Sequence, residues 1–208
     1  MKTVISRLLV TMALILLTVT PGLVNGQSNS NYTVCQGATE PYWIQSPATG
    51  STFAWSVTLG AAGTNWTMTS TSGSNIQVHW LLPGTYVVQV TETASNTCIG
   101  DPILLTVTVI AAPTVANAGP DQPTLCGTLT ATLAGNVPVT GTGSWSKVSG
   151  PGTVAFTNAS DPLTTATASL YGVYVLRWTI SNGICTPSTA DVTITFNQKP
   201  VTNGIWHN

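Results

Sequence analysis

Charged side chains are scarce in this chain of 208 residues, where Asp, Glu, Lys and Arg together make up 5% of the sequence. In an average soluble domain, charged residues make up about a quarter of the sequence. Five cations against six carboxylates give a formal net charge of −1, which leaves no basic surface for a phosphate backbone and argues against nucleic acid as a partner. Hydroxyl and amide side chains must supply the solubility instead. Sheets with Thr and Ser on their outward faces fit this composition best.

Groups that could perform acid–base or nucleophilic catalysis are also few. The histidines are His79, in a strand-like stretch, and His207, near the C-terminus. The carboxylates show neither the spacing of a calcium loop nor that of a helical acid pair: Glu40, Glu92, Asp101, Asp121, Asp161 and Asp191. No His and Cys cluster suits zinc. We therefore expect neither an enzyme nor a cofactor; the alternative is an acid–base pair assembled by folding, such as Glu40 with Glu92.

Long apolar runs are missing except near the N-terminus, at residues 8–19. Basic residues precede this run, and Val24 and Gly26 supply small side chains at the −3 and −1 positions of a cleavage site. The pattern predicts a signal peptide over 1–26, cleaved before Gln27, and hence a protein exported to the cell surface, the medium or the periplasm. An uncleaved anchor is the alternative, but the run is shorter than the roughly 20 residues of a membrane span.

Four cysteines and their aromatic neighbours indicate an internal repeat. The interval from the first cysteine to the second nearly equals that from the third to the fourth: Cys35, Cys98, Cys126 and Cys185. Trp55 and Trp145 follow the first and third cysteines at almost the same distance along the chain. Tyr86 and Tyr174 likewise precede the second and fourth cysteines by nearly equal intervals. This spacing predicts two halves of one plan, each about 90 residues long.

Export favours disulfides, and four cysteines allow three pairings. The repeat favours one disulfide within each half, Cys35 with Cys98 and Cys126 with Cys185. The alternative is four free thiols. No tyrosine lies two positions before the second cysteine of either half, so we expect the tyrosine corner of immunoglobulin domains to be absent.

Strand signals recur at short, regular intervals between clusters of Gly, Pro, Ser and Asn, which is typical of an all-β sandwich. We predict one sandwich over 27–110 and a second over 113–197, with a linker at 111–112 and a tail at 198–208. Period-two alternation predicts core-facing side chains in the last long strands of each half: Tyr86, Val88, Val90, Tyr174, Leu176, Trp178 and Ile180. Four tryptophans are expected in the cores: Trp55, Trp80, Trp145 and Trp178.

Several segments resemble a known family. They are VCQGATE (34–40), STFAWSV (51–57), IQVHW (76–80), PGTYVVQVTE (83–92), VANAGPDQ (115–122) and LRWTISNGIC (176–185). These are similar to the PKD-like and immunoglobulin-like repeat modules of bacterial secreted surface and gliding-associated adhesin proteins of the Bacteroidota type. The resemblance implies two tandem PKD-like/Ig-like β-sandwiches in a non-catalytic structural or adhesion module, which acts as a spacer or binds other cell-surface proteins within a larger assembly.

Two candidate ligand sites accompany this interpretation. Some PKD-related modules bind calcium near the interdomain linker, so the resemblance makes Asn117 with Asp121 a candidate ligand pair; their alternative role is in turns. Aromatic faces stack on sugar rings, and Tyr42, Trp43 and Trp66 are the aromatic residues least committed to a core. They define the alternative function, a carbohydrate-binding module for an extracellular glycan.

Overall fold

The computed structural model describes residues 31–45 and 47–207, and in that part of the chain it contains fourteen β-strands and no helix. The predicted signal peptide lies outside the described residues. The strands of the first half are β1 (Asn31–Cys35), β2 (Thr39–Trp43), β3 (Thr52–Thr58), β4 (Trp66–Met68), β5 (Asn75–Trp80), β6 (Gly84–Thr93) and β7 (Ile103–Ile110). Those of the second half are β8 (Gln122–Cys126), β9 (Thr130–Thr132), β10 (Thr142–Ser149), β11 (Val154–Phe156), β12 (Thr165–Ala168), β13 (Gly172–Ser181) and β14 (Ser188–Asn197).

Each half forms a sandwich of a four-stranded and a three-stranded sheet. In the first, the sheets have the orders β1-β7-β6-β3 and β2-β5-β4. In the second, the orders are β8-β14-β13-β10 and β9-β12-β11, so the strands occupy the same places in the same sequence. The first strand of each half pairs in parallel with the last, and the other pairs are antiparallel. This is an immunoglobulin-like strand order, and it confirms the predicted all-β fold with two sandwiches.

Alternating side chains fill the space between the two sheets of each sandwich. Every predicted core-facing residue of β6 and β13 is buried, as are the four expected tryptophans. Trp80 lies with its ring centroid 5.1 Å from that of Tyr86, and Trp145 lies 5.1 Å from Trp178. Outward positions carry small polar residues, such as Thr and Ser in β3 and β10. The low charge of the sequence is thus explained by hydroxyl-rich outer faces.

Both sandwiches contain a tyrosine whose hydroxyl bonds back to the chain just before its own strand. The hydroxyl of Tyr86 donates to the Leu82 carbonyl at 2.9 Å, and that of Tyr174 donates to the Leu170 carbonyl at 2.9 Å. This is the geometry of a tyrosine corner, so the expectation that the motif is absent is wrong. That expectation depended on a cysteine inside the strand, whereas here Cys98 and Cys185 lie beyond the strand ends.

Candidate functional site

The two sandwiches are joined by a disulfide between Cys35 and Cys185, whose Cα atoms are 5.2 Å apart and which are 150 residues apart in sequence. Cys98 and Cys126 are free and exposed. The predicted pairing, with one disulfide inside each sandwich, is therefore wrong. Within the described residues there is instead a single disulfide, which connects the end of β1 in one sandwich to the loop after β13 in the other.

Strand direction explains why the predicted pairs do not form. Cys35 ends β1 beside Ile110, where the chain leaves the first sandwich. The antiparallel strand β6 runs away from that end, so Cys98 lies beyond the opposite end of the sheet. Ten residues of β6 separate the two ends, which corresponds to roughly 30 Å of extended chain. In the second sandwich, β13 runs toward the junction and carries Cys185 to meet Cys35.

Polar contacts surround this disulfide at the connection between the sandwiches. The Asn182 side-chain amide donates to the Ala111 carbonyl at 2.7 Å, and the Sγ of Cys185 lies 3.5 Å from the same oxygen. Gln36 donates through Nε2 to the Leu81 carbonyl at 2.9 Å and accepts from the Ala112 amide at 3.4 Å. The connecting backbone is therefore held from both sides, by Gln36 of the first sandwich and Asn182 of the second.

The loop after β13 is shaped to reach this position. Gly183 has φ of 53°, a left-handed conformation that favours glycine. An added Cβ there would lie 2.7 Å from the Cδ1 of Ile110, so the end of that side chain would have to shift. The amide of Cys185 closes the turn by donating to the Asn182 carbonyl at 3.0 Å. Cys185 is buried at the junction, which protects the disulfide from solvent on one side.

Of the three predicted stacking residues, the structure leaves one available to a ligand. Tyr42 and Trp66 are buried in the first core, so their prediction as exposed stacking residues is wrong. The Trp80 indole donates to the Tyr42 hydroxyl at 3.2 Å, and burial raises the Tyr42 pKa above its ordinary range. Trp66 donates to the Leu59 carbonyl at 3.4 Å. Trp43 remains 37% exposed on the outer face of its sheet.

A shallow groove of about 470 Å³ lies beside Trp43. Its lining comes from all three strands of the smaller sheet or their ends: Pro41, Tyr42, Trp43, Thr69, Asn75, Ile76 and Gln77. Trp43 faces Asn75 across the β2–β5 pair, and Pro41 faces Gln77. The groove therefore offers one aromatic face and neighbouring amide groups, which is chemistry suited to a sugar ring or a polar peptide.

The candidate calcium pair is occupied by the backbone. The Asn117 side-chain oxygen accepts from the Gly119 amide at 2.9 Å, and the Asp121 carboxylate accepts from the Thr193 amide at 2.7 Å. Among the described residues, no three His, Cys, Asp or Glu side chains group into a metal site. Asn117 forms the predicted turn contact, and Asp121 ties the segment before β8 to β14.

The residues considered for acid–base chemistry lie in separate structural contexts. His79 shares a 2.9 Å hydrogen bond with the Thr39 hydroxyl across the β2–β5 pair. Glu40 accepts from the Tyr32 hydroxyl at 3.3 Å, while Glu92 belongs to β6 in the other sheet. Burial and the Glu40 charge raise the Tyr32 pKa. No helix within the described residues has the length and apolar character needed to cross a membrane.

Comparison with known proteins gives similarities of fold. No family model and no curated protein matches the sequence. The PKD domain from KIAA 1837 protein is 26% identical over 43% of this chain and 91% of its own, with a TM-score of 0.37. Fibronectin(III)-like modules of Clostridium thermocellum CbhA are 12% identical over 86% of this chain and 96% of theirs, with a TM-score of 0.38. The IG1+IG2 structure of DIP-gamma is 12% identical over 83% and 97%, with a TM-score of 0.35.

Proposed function

We propose that this protein is a non-catalytic spacer or interaction module, exported to the cell surface or beyond, in which two sandwiches are locked end to end. The single observation that carries the proposal is the Cys35–Cys185 disulfide between the sandwiches. A disulfide at this position fixes spacing and orientation, which matter for a part that holds a binding surface away from its anchor. It also suits an oxidising compartment, and this supports export by the predicted signal peptide.

The disulfide changes how the chain would respond to tension. A force applied between Asn31 and His207 passes from β1 through the sulfur atoms to Cys185 and then along β14. The 150-residue span between the cysteines is bypassed. Only the short segments outside this span can lengthen while the disulfide is intact. The first hydrophobic core, which lies almost wholly within the bypassed span, is thereby protected from unfolding by stretching of the termini. The second core is protected less, because the loaded strand β14 contributes Val192, Ile194 and Phe196 to it.

Single-molecule stretching tests this proposal. The chain is pulled from handles attached before residue 31 and after residue 207, in a Cys98→Ser/Cys126→Ser background that keeps the disulfide. We expect short extensions until reductant is added, followed by extra lengthening of roughly 500 Å from the released 150 residues. Long extensions without reductant would contradict the proposed locked spacer. Protease treatment of intact host cells tests export to the cell surface. If the protein is displayed there, the added protease should cleave it.

The groove beside Trp43 favours a second candidate function, a glycan-binding module. Binding of soluble polysaccharides is compared between the native chain, Trp43→Ala and, as a matched control, Trp206→Ala, whose indole is exposed in the tail. Loss of binding in Trp43→Ala alone would support this function. Equal retention by all three proteins, or retention by none, would exclude it as a use of this groove.

A further inference from the structure

The two free cysteines occupy the same places in their sandwiches as the two bonded ones. Cys35 ends β1 and Cys126 ends β8, which are equivalent strands. Cys98 follows β6 and Cys185 follows β13, which are again equivalent. Each sandwich thus has one cysteine of the strand-end type and one of the loop type. The existing disulfide joins one of each type, and the remaining free pair also has one of each.

The free cysteines lie at the two ends of the molecule that face away from the junction. Strand β6 runs away from the junction and leads to Cys98. Strand β14 also runs away from it, and its last residue, Asn197, pairs with Cys126. Both thiols are exposed. Their positions prevent them from meeting within one chain, but they are displayed for a second chain arranged in line with the first.

A sequence feature of the junction recurs at one of these outer ends. A Ser-Asn pair precedes each loop cysteine: Asn96 lies two positions before Cys98, and Asn182 lies three positions before Cys185. In the Cys98 loop, the Cys98 amide donates to the Asn96 side-chain oxygen at 3.1 Å.

The chain that leaves β14 also resembles the connection between the sandwiches. Pro200 lies three positions beyond Asn197, as Pro113 lies three beyond Ile110. Each outer end therefore shares a short sequence feature with the junction between the sandwiches.

We propose that two copies of this chain join head to tail through a disulfide between Cys126 of one copy and Cys98 of the next, reproducing the Cys35–Cys185 junction. Repetition of this contact would extend the protein into a filament of evenly spaced sandwiches. The proposal deepens the spacer function and rests on it only for its biological use. The contact is heterologous, so it does not close on itself at a dimer.

Formation of the bond needs an oxidant of the disulfide class. One thiolate attacks a disulfide such as oxidised glutathione, which releases one reduced glutathione and leaves a mixed disulfide. The thiolate of the second copy then attacks that mixed disulfide, forms the protein–protein bond and releases a second reduced glutathione. Two protein thiols are oxidised, one glutathione disulfide is reduced to two thiols, and no other reactant is required.

Variants that each retain one free cysteine test the pairing. Cys98→Ser retains Cys126, Cys126→Ser retains Cys98, and both keep the Cys35–Cys185 bond. Each variant is incubated with oxidised glutathione alone and in an equimolar mixture, then separated by non-reducing electrophoresis and mass spectrometry. We expect about tenfold more dimer in the mixture than in either variant alone, the factor that roughly one good interfacial hydrogen bond supplies. The native chain should form a ladder that reductant collapses.

A relocated thiol provides the control. Val139 is exposed, so a cysteine placed there is accessible to solvent. Cys98→Ser is mixed with Cys126→Ser/Val139→Cys, which offers thiols at positions 98 and 139. It is also mixed with Cys126→Ser/Cys98→Ala/Val139→Cys, which offers a free thiol at position 139 alone. We expect the pairing yield to follow Cys98 and not the thiol at position 139. Equal dimer yields for both thiols, or monomers carrying glutathione on each exposed cysteine, would overturn the proposal. The stretching experiment uses a variant without Cys98 and Cys126, so these outcomes leave the locked-spacer function independently testable.

Discussion

The hydroxyl group of Tyr174 makes two hydrogen bonds that hold the entry to β13. It donates to the Leu170 carbonyl at 2.9 Å and accepts from the Gly152 amide at 3.1 Å. The ring is buried against Phe196, with centroids 5.7 Å apart. A single side chain thus supports a long core strand, the turn before it and the loop that contains Gly152.

Replacing this hydroxyl should destabilise the protein without a change of packing. We expect Tyr174→Phe to lower the free energy of unfolding by about 1–3 kcal/mol, because it removes two part-buried hydrogen bonds to the backbone. Tyr171→Phe is the control, since Tyr171 is exposed. Urea denaturation of both variants measures the difference. Equal stability of the two would show that the corner contributes nothing.

The pair Arg177–Asp191 links β13 to β14 on the outer face. Two hydrogen bonds of 2.7 and 2.9 Å join the guanidinium to the carboxylate. The hydrogen bond from Arg177 lowers the Asp191 pKa below its ordinary value of 3.8. A carboxylate with a lowered folded-state pKa contributes stability that is fully present above its unfolded-state pKa and is lost as the pH falls through the folded-state value.

Removal of this carboxylate should therefore make the free energy of unfolding fall less steeply as the pH is lowered. We expect Asp191→Asn to lose less stability than the native chain between neutral pH and pH values below 3.8. Because both side chains are exposed, salt should reduce the difference. Denaturation at several pH values in low and high salt measures it. If the free energy of unfolding of Asp191→Asn fell as steeply with pH as that of the native chain, the Arg177–Asp191 pair would not contribute to the pH dependence.

Among the strands, β10 shows how backbone and core fit together. Gly143 lies directly against the indole of Trp178, where an added Cβ would come within 2.1 Å of a ring carbon. Trp178 is fully buried and packs on Trp145, so it has little room to move. Glycine here lets the strand approach the ring closely.

We expect Gly143→Ala to destabilise the protein by about 1–3 kcal/mol through overpacking. Gly100→Ala is the matched control, because its added Cβ would meet its nearest neighbour at an ordinary 3.4 Å. Thermal unfolding, followed by tryptophan fluorescence, compares the two. A Gly143→Ala variant as stable as the control would show that the indole relocates freely.

Strand periodicity makes the two long core strands predictable. In β6 and β13 the alternation runs over ten residues, which fixes the buried face. Trp66 is not predicted as a core residue because β4 has only three residues and therefore no readable period. The pairing of the cysteines is missed for another reason, since spacing along the chain carries no information about which end of a sandwich a strand reaches.

The disulfide pairing could be predicted only if the strand order and the direction of each strand were known first. Recognition that Cys35 ends a first strand and Cys98 follows a sixth would place them at opposite ends of the sheet. The exposure of Trp43 is within reach of the sequence, because Tyr42 can serve the core only if its neighbour points outward. The groove beside Trp43 is not, since it combines side chains from three separate strands or their ends.

At the scale of the whole molecule, the disulfide between the sandwiches should govern both rigidity and stability. We compare Cys35→Ser/Cys185→Ser with Cys98→Ser/Cys126→Ser, which each lose two cysteines. The first should broaden the distance distribution in small-angle X-ray scattering and lose about 5 kcal/mol of stability, because the unfolded chain is no longer constrained by a loop of 150 residues. The second should match the native monomer. Identical scattering from both variants would contradict a locked pair of sandwiches.

Disulfide mapping tests the central claim most directly. Free thiols of the native protein are alkylated, the chain is digested with pepsin at acid pH so that disulfides do not exchange, and linked peptides are identified by mass spectrometry. The structure predicts that the Cys35 peptide is linked to the Cys185 peptide. Peptides linking Cys35 to Cys98 and Cys126 to Cys185 would contradict it, because each sandwich would then be closed on itself with no covalent bond between them.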